Sequence, residues 1–287
     1  MIKPSVSNIQ IITFNNGEII NSNDLIAVEE PLEIRIGYGP VNNREQKNIS
    51  ITMRTPGHDF ELALGFLFTE GIIENANDVK QIKYCTELNT KKDNQNIVRV
   101  ELSEFVKIDL KKLQRNFYTT SSCGVCGKSS IDAIKTVCAV GKSNRKFEIN
   151  HNIITQLPNK LRTQQDVFKF TGGIHGCALF DSNGNMEISR EDVGRHNALD
   201  KLIGSLISNK NESYSYEEKI LLLSGRASFE LIQKAAMLGV KMVCAVGAPS
   251  SLAVQTAIEF DITLIGFLRE NRFNIYSHSH RVISKQV

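Results

Sequence analysis

Tryptophan is absent from this chain of 287 residues, and prolines number only six. Cysteines are also six: Cys85, Cys123, Cys126, Cys138, Cys177 and Cys244. That is too few, in a chain of this length, for a disulfide scaffold. No apolar run reaches the length that crosses a bilayer, so no membrane association is expected. The start, Met1-Ile2-Lys3-Pro4, lacks the long apolar stretch of a secretory signal. Net charge is +3, too small to argue for a nucleic-acid partner. What these absences leave is an ordinary globular composition, 41% apolar and 23% charged, with a reduced cytoplasmic setting expected.

Against that background one segment stands out: Ser121-Ser122-Cys123-Gly124-Val125-Cys126-Gly127-Lys128-Ser129-Ser130. Glycines flank a C-x-x-C pair, leaving the backbone uncovered, and a lysine follows two residues later. Nearby positive charge favours the thiolate, which is the nucleophile. The pair therefore reads as a thiol meant to be reached. Residues 103–130 hold few apolar positions, so the dithiol is expected on an exposed, mobile connection, with Lys107, Lys111, Lys112 and Arg115 ahead of it. Half of a structural zinc site is one alternative, but four ligands are needed and Cys138 and Cys177 show no matching spacing. No metal site is expected. A thioredoxin-like redox pair is another alternative, though no apolar strand precedes the motif. Zinc deaminase chemistry is excluded: no histidine has Glu two residues later, and Ser122 stands where that signature has proline. Gly127-Lys128-Ser129 fails as a P-loop because position 122 is Ser rather than Gly.

The first half reads as strands with one helix. The segments 9–14 and 18–20 around Asn15-Asn16-Gly17 predict a hairpin. Alternation at 32–36 and 49–53 predicts half-buried strands. After Thr55-Pro56-Gly57, a helix over 58–68 places Phe60, Ala63, Leu64, Leu67 and Phe68 on one face, and Gly71 ends it. A strand returns at 97–102. The second half alternates short apolar runs (220–223, 241–246, 262–267) with helices (198–207, 229–238, 252–260), which predicts a parallel sheet covered on both faces. The fold class expected is α/β, with residues 1–145 forming a smaller β-rich region ending in the dithiol loop and 146–287 an α/β ligand-binding domain.

Three polar loops follow the apolar runs: Ser224-Gly225-Arg226, Gly247-Ala248-Pro249-Ser250-Ser251, and Arg269-Glu270-Asn271-Arg272. In an open α/β sheet they lie at the carboxyl ends of the strands, where ligands bind. Two of them lead into helix N-termini, which suit anions. A fourth polar turn, 191–197, brings Arg195 and His196, and Thr171-Gly172-Gly173-Ile174-His175 adds a glycine-flanked histidine. Together they predict a pocket for a phosphorylated ligand. A plain helix-start histidine is the alternative for His196, and a solvated charge for each arginine alone.

Taken in order, these motifs resemble the FdhD family, the sulfur carriers needed for formate dehydrogenase activity. The carrying segments are Thr55-Pro56-Gly57 with 61–71, Ser122-Cys123-Gly124-Val125-Cys126-Gly127, 171–175, 191–201, Ser224-Gly225-Arg226, 248–251, 266–269 and 272–274. The resemblance covers about residues 8 to 280. It implies a cytidine-deaminase-like three-layer α/β/α larger domain, a smaller α+β domain, and a homodimer. It further implies that Cys123 carries a persulfide received from a cysteine desulfurase, with Cys126 as the second cysteine. The sulfur then passes to the molybdenum (or tungsten) bis(molybdopterin guanine dinucleotide) cofactor destined for formate dehydrogenase. Phe267, Leu268, Arg269, Glu270, Asn271 and Arg272 match the family's site for that cofactor. Arg226 and His196 are expected beside it, and GDP is the expected fragment ligand. A cofactor chaperone that carries no covalent sulfur, or a dithiol redox protein, are the competing readings.

Overall fold

The computed structural model describes residues 4–85, 95–106, 108, 147–208 and 215–284. Both cysteines of the dithiol, most of its connection and the division expected at 145/146 lie outside the described residues. Strands β1 (Val6–Asn15) and β2 (Glu18–Ala27) form the expected hairpin. Its two loop residues, Asn16 and Gly17, have φ of 51° and 90°. Left-handed backbone at both positions is what a tight hairpin turn requires, and Asn-Gly tolerates it best. β3 (Glu30–Tyr38), β4 (Glu45–Arg54), β5 (Val79–Tyr84) and β6 (Ile97–Leu102) make a four-stranded sheet in the order β4-β3-β6-β5. Leu32, Ile34, Ile36, Val98, Val100 and Leu102 turn one face of it onto helix α1 (Asp59–Thr69).

α1 departs from the face predicted for it. Leu62, Ala63, Leu64, Gly65 and Leu67 are buried, whereas Phe60 stays partly exposed and rests on the Tyr84 ring at 4.7 Å. The reason is that α1 is covered on two sides, by the sheet and by helix α4 (Arg195–Ser208). Glycines set how close the two helices come. A Cβ on Gly65 would lie 1.9 Å from the Asp200 carbonyl oxygen, and one on Gly204 would lie 1.8 Å from that of Glu61. Only glycine permits backbones this near.

The second sheet has six strands: β8 (His175–Phe180), β9 (Met186–Asp192), β10 (Ile220–Leu223), β11 (Met242–Ala245), β12 (Thr263–Gly266) and β13 (Asn274–Ser277). Their order is β13-β12-β11-β10-β8-β9. Two short strands, β7 (Ile149–Asn150) and β14 (Val282–Ile283), pair separately. The expectation of a parallel sheet is met only at β10-β11-β12. β13, β8 and β9 join antiparallel, so the sheet is mixed. Connection length explains this: 181–185 and 267–273 are too short for the crossover that parallel neighbours need.

Alternate residues of these strands enter different cores. Leu179, Leu221, Leu223, Val243 and Leu264 pack on α4, α5 (Phe229–Leu238) and α6 (Ser251–Glu259). Phe180, Ile220, Leu222, Met242, Cys244 and Ile265 pack on α2 (His151–Gln164), through its Ile154, Leu157 and Leu161. Burial on both faces is why these strands read as unbroken apolar runs. The architecture here is three-layer α/β/α, with the short helix α3 (Asp166–Thr171) after α2. Among the described residues no helix is long and apolar enough to cross a membrane.

Candidate functional site

The loops leaving β10, β11 and β12 are stitched to one another. The Gly247 N–H donates to the Gly225 carbonyl at 2.8 Å, Phe267 N–H to Gly247 at 3.0 Å, and Ser250 N–H to Ala227 at 3.0 Å. Glycine is needed at the crossing points. A Cβ on Gly247 would lie 2.8 Å from Arg226 Cα, and one on Gly266 would lie 2.8 Å from Pro249 Cδ. The carboxyl ends of the three parallel strands are thereby held as one rigid rim.

A cavity of about 980 Å3 opens at this rim. Leu268, Arg269, Glu270, Asn271 and Arg272 supply one part of its wall. Gly172, Gly173, Ile174 and His175 supply another, Ser224, Gly225 and Val246 a third, and Pro158, Asn159, Leu161, Arg162, Gln165 and Phe168 of the α2–α3 region the rest. The 269–272 turn is fixed from within. Arg269 N–H donates to the Arg272 carbonyl at 2.9 Å, while the Arg269 guanidinium donates to the carbonyls of Val246 (2.7 Å) and Leu268 (2.8 Å). Glu270 accepts from the Asn159 amide at 2.9 Å. Arg272 is left exposed at the lip, and Arg162 lies over the Phe168 ring at 5.6 Å. His175 sits against Gly225. Burial, and then the charge of Arg195, push its pKa down, so its imidazole is neutral near pH 7. A concave site with three guanidinium groups, one carboxylate and a neutral imidazole suits an anionic ligand with apolar and hydrogen-bonding parts.

The structure thus brings together Leu268, Arg269, Glu270, Asn271 and Arg272 with the glycine-flanked His175. Three other expected site residues do not line this cavity. Phe267 adopts φ 52° and is part-exposed outside it, and Arg226 is exposed beside the next loop. His196 faces α5, with Nε2 3.3 Å from the Ser228 hydroxyl and 3.9 Å from the Glu230 carboxylate. Burial first, then Lys234 and Arg195, push the His196 pKa down to about 4. Asn159, Arg162, Gln165 and Phe168 are cavity residues that sequence reasoning missed. They come from a helix pair it did not assign, and no motif marks them.

The 191–201 segment also has a different task from the one expected of it. Asp192 is buried, pairs with Lys201 Nζ at 2.6 Å, and accepts from the Thr55 N–H at 3.1 Å. Asn197 donates to the Met53 carbonyl at 2.7 Å. Asp200 pairs with Lys234 at 2.9 Å and accepts from the Thr69 hydroxyl at 2.9 Å. Nearby, Arg190 grips Glu61 through two bonds of 2.6 and 2.8 Å. These residues form a polar seam joining the 53–69 segment to the second sheet. Burial alone would raise the Glu61 pKa, but Arg190 and His58 overcome it and hold the carboxyl at about 2.

Fold and cavity together define a mixed α/β protein with an open cavity at its strand ends. The chain belongs to the FdhD/NarQ family, whose model matches residues 27–283. It is 44% identical over 275 residues to the sulfur carrier protein FdhD of Streptomyces coelicolor, covering 95% of this chain and 94% of that protein. It is 45% identical over 280 residues to the sulfur carrier protein FdhD of Picrophilus torridus, covering 98% and 99%. A crystal structure from Desulfotalea psychrophila, named for a formate dehydrogenase accessory role, superposes with a TM-score of 0.69 at 21% identity, over 98% of this chain and all of that one. This last likeness is one of fold.

Proposed function

We propose that this protein is a sulfurtransferase of formate dehydrogenase maturation. The observation that carries the reading is its likeness, over nearly the whole chain, to proteins named sulfur carriers. The Cys123 thiolate attacks the outer sulfur of a persulfide on a cysteine desulfurase. The S–S bond of the donor breaks, the donor thiolate leaves, and Cys123 keeps the extra sulfur, with Cys126 as the neighbouring second thiol. The acceptor is the molybdenum or tungsten bis(molybdopterin guanine dinucleotide) cofactor, bound as cargo, on its way to formate dehydrogenase. The chain works as a homodimer in the cytoplasm.

Two features support this assignment of roles. Cys177 and Cys244 are sealed in the six-stranded sheet, and burial pushes both thiols far above their ordinary range, so neither is a usable nucleophile. The cavity is at the upper end of the range for ligand pockets, and the guanidinium groups of Arg162 and Arg272 on its wall suit the phosphates of a dinucleotide tail. Intact-protein mass spectrometry after incubation with a cysteine desulfurase and cysteine tests the reading. One added sulfur, released by reductant and absent from Cys123→Ala, is expected. Full loading of Cys123→Ala, with formate dehydrogenase still activated, sinks the role given to Cys123, and a wild type that takes up no sulfur yet still activates formate dehydrogenase would favour a chaperone that carries no covalent sulfur.

A further inference from the structure

One wall of the strand-end cavity has few anchors. Residues 165–175 supply Gln165, Phe168, Gly172, Gly173, Ile174 and His175 to the cavity, and α3 carries much of that stretch. α3 has six residues, and none of its side chains is buried, although β2 packs against it. A helix this short is not stable through its own hydrogen bonds; an apolar face set in a core is what usually fixes one. α3 lacks that anchor. Its local bonds do not tie it to the rest of the fold: the Thr171 hydroxyl donates to the Val167 carbonyl, and the Gly172 N–H to the Phe168 carbonyl. Arg162 of α2 lies over the Phe168 ring, but Arg162 is itself exposed. Among the described residues, a single side chain from another element makes hydrogen bonds to α3. Glu191 of β9 accepts from the Val167 N–H at 3.0 Å through one carboxylate oxygen, and from the Phe168 N–H at 2.9 Å through the other. Both donors belong to the first turn, whose N–H groups have no partners inside the helix and carry partial positive charge. Glu191 is paired across the strands with Gly176 of β8, so the carboxylate is mounted on the six-stranded sheet.

We propose that Glu191 is a positioning residue for the cavity: its carboxylate clamps the first turn of α3 and so sets the wall from Gln165 to His175 against which a ligand packs. Electrostatics separate this task from global stability. Burial, above all, raises the Glu191 pKa, and Asp166 adds to the rise. The N–H groups of Phe168 and Val167 and the Gln165 amide offset it only in part. In its ionised form the carboxylate is therefore held there at a net cost relative to the unfolded chain. Glutamine, its neutral isostere, is spared that cost but offers one acceptor oxygen to two donors. Glu191→Gln should thus loosen α3 without weakening the fold. The affinity half of this inference rests on the dinucleotide reading given above; the clamp itself does not.

The test compares wild type with Glu191→Gln. Without ligand, amide exchange at Val167 and Phe168 is expected to quicken by roughly tenfold or more, the scale of one lost charge-assisted hydrogen bond. Over the same comparison β10, β11 and β12 should keep their protection, and the urea midpoint should stay that of wild type. With GDP as the probe, calorimetry is expected to show affinity roughly tenfold lower. Should Glu191→Gln fail to fold, Val167→Pro removes one donor from the opposite side, at a first-turn position that tolerates proline. Exchange at Phe168 and GDP affinity are expected to change in the same way in that variant. Unchanged exchange at these amides overturns the clamp. Unchanged GDP affinity beside quickened exchange overturns the positioning role, and so does a urea midpoint that falls in step with affinity, the mark of a purely structural residue. If GDP does not bind the wild type, the dinucleotide reading fails by itself, and exchange at Val167 and Phe168 still decides the clamp.

Discussion

Arg272 lies exposed at the lip of the cavity, on a turn whose other arginine is occupied by backbone carbonyls. Arg269 therefore holds the turn, and Arg272 is the arginine of that turn left to meet an anion. A charge-assisted contact to phosphate contributes roughly 1.5–3 kcal/mol. If GDP binds as a fragment of the proposed cargo, Arg272→Ala should weaken it on the order of ten- to a hundredfold, as read by calorimetry. Cys123→Ala should bind GDP like wild type, since holding the tail and carrying sulfur are separate tasks. Wild-type affinity in Arg272→Ala, with loss in Cys123→Ala, would mean that the ligand sits elsewhere. Sequence order alone suggested these arginines as a set. Their division into one structural and one free guanidinium depends on carbonyls at Val246 and Leu268, which no motif reveals.

At the scale of elements, the α1–α4 contact brings two helix backbones close together. Its geometry rests on Gly65 and Gly204, and a methyl group at either would fall inside a carbonyl of the facing helix. Because the obstruction is backbone and not a flexible side chain, relaxation means moving a whole helix. Gly204→Ala should cost roughly 3 kcal/mol or more, beyond the usual range for a single methyl group. Urea denaturation measures this, and a loss below about 1 kcal/mol would show that the helices separate easily. The elements were unequally legible. Asn16-Gly17, the alternation at 32–36, and the runs at 220–223, 242–245 and 263–266 carried their own signals, because local turn chemistry and burial pattern repeat within a few residues. α2 did not, since Pro158 stands inside it and only Ile154, Leu157 and Leu161 are buried. β8 and β9 also went unassigned: in β8 a glycine stands beside a continuous apolar run, and the pairing that identifies both strands is with each other and with β10.

Across the whole molecule, the polar seam ties the four-stranded sheet and α1 to the second sheet, and it gives stability a pH dependence. Glu61 has its carboxyl held at about 2 against an ordinary value of 4.5. As pH falls, the unfolded chain takes up this proton before the folded one does. The stabilisation from Glu61 is therefore complete above about pH 4.5 and is lost as pH falls towards 2. Glu61→Gln should be less stable than wild type by about 2 kcal/mol at neutral pH. That gap should narrow between pH 4.5 and 2, as followed by denaturant titration at several pH values. A gap unchanged across that window would mean that the stability lost in Glu61→Gln does not come from the charge of the carboxylate.

The sequence by itself determined the α/β class, the hairpin turn, the strand-end position of the 268–272 stretch, and the family to which the chain belongs. Each rests on residues close in sequence, where periodicity, glycine and chain order are sufficient. Only the tertiary structure decided which polar residues face the strand-end cavity and which are buried. Asp192, Asp200 and Lys201 look like a solvated turn and helix start until Thr55, Thr69 and Lys234 arrive from elsewhere in the chain to satisfy them. A charge shows its burial only through its partners. When those partners lie more than a hundred residues away, as Thr55 and Thr69 do, local pattern cannot place them, whereas packing two sheets through a shared pair of helices does.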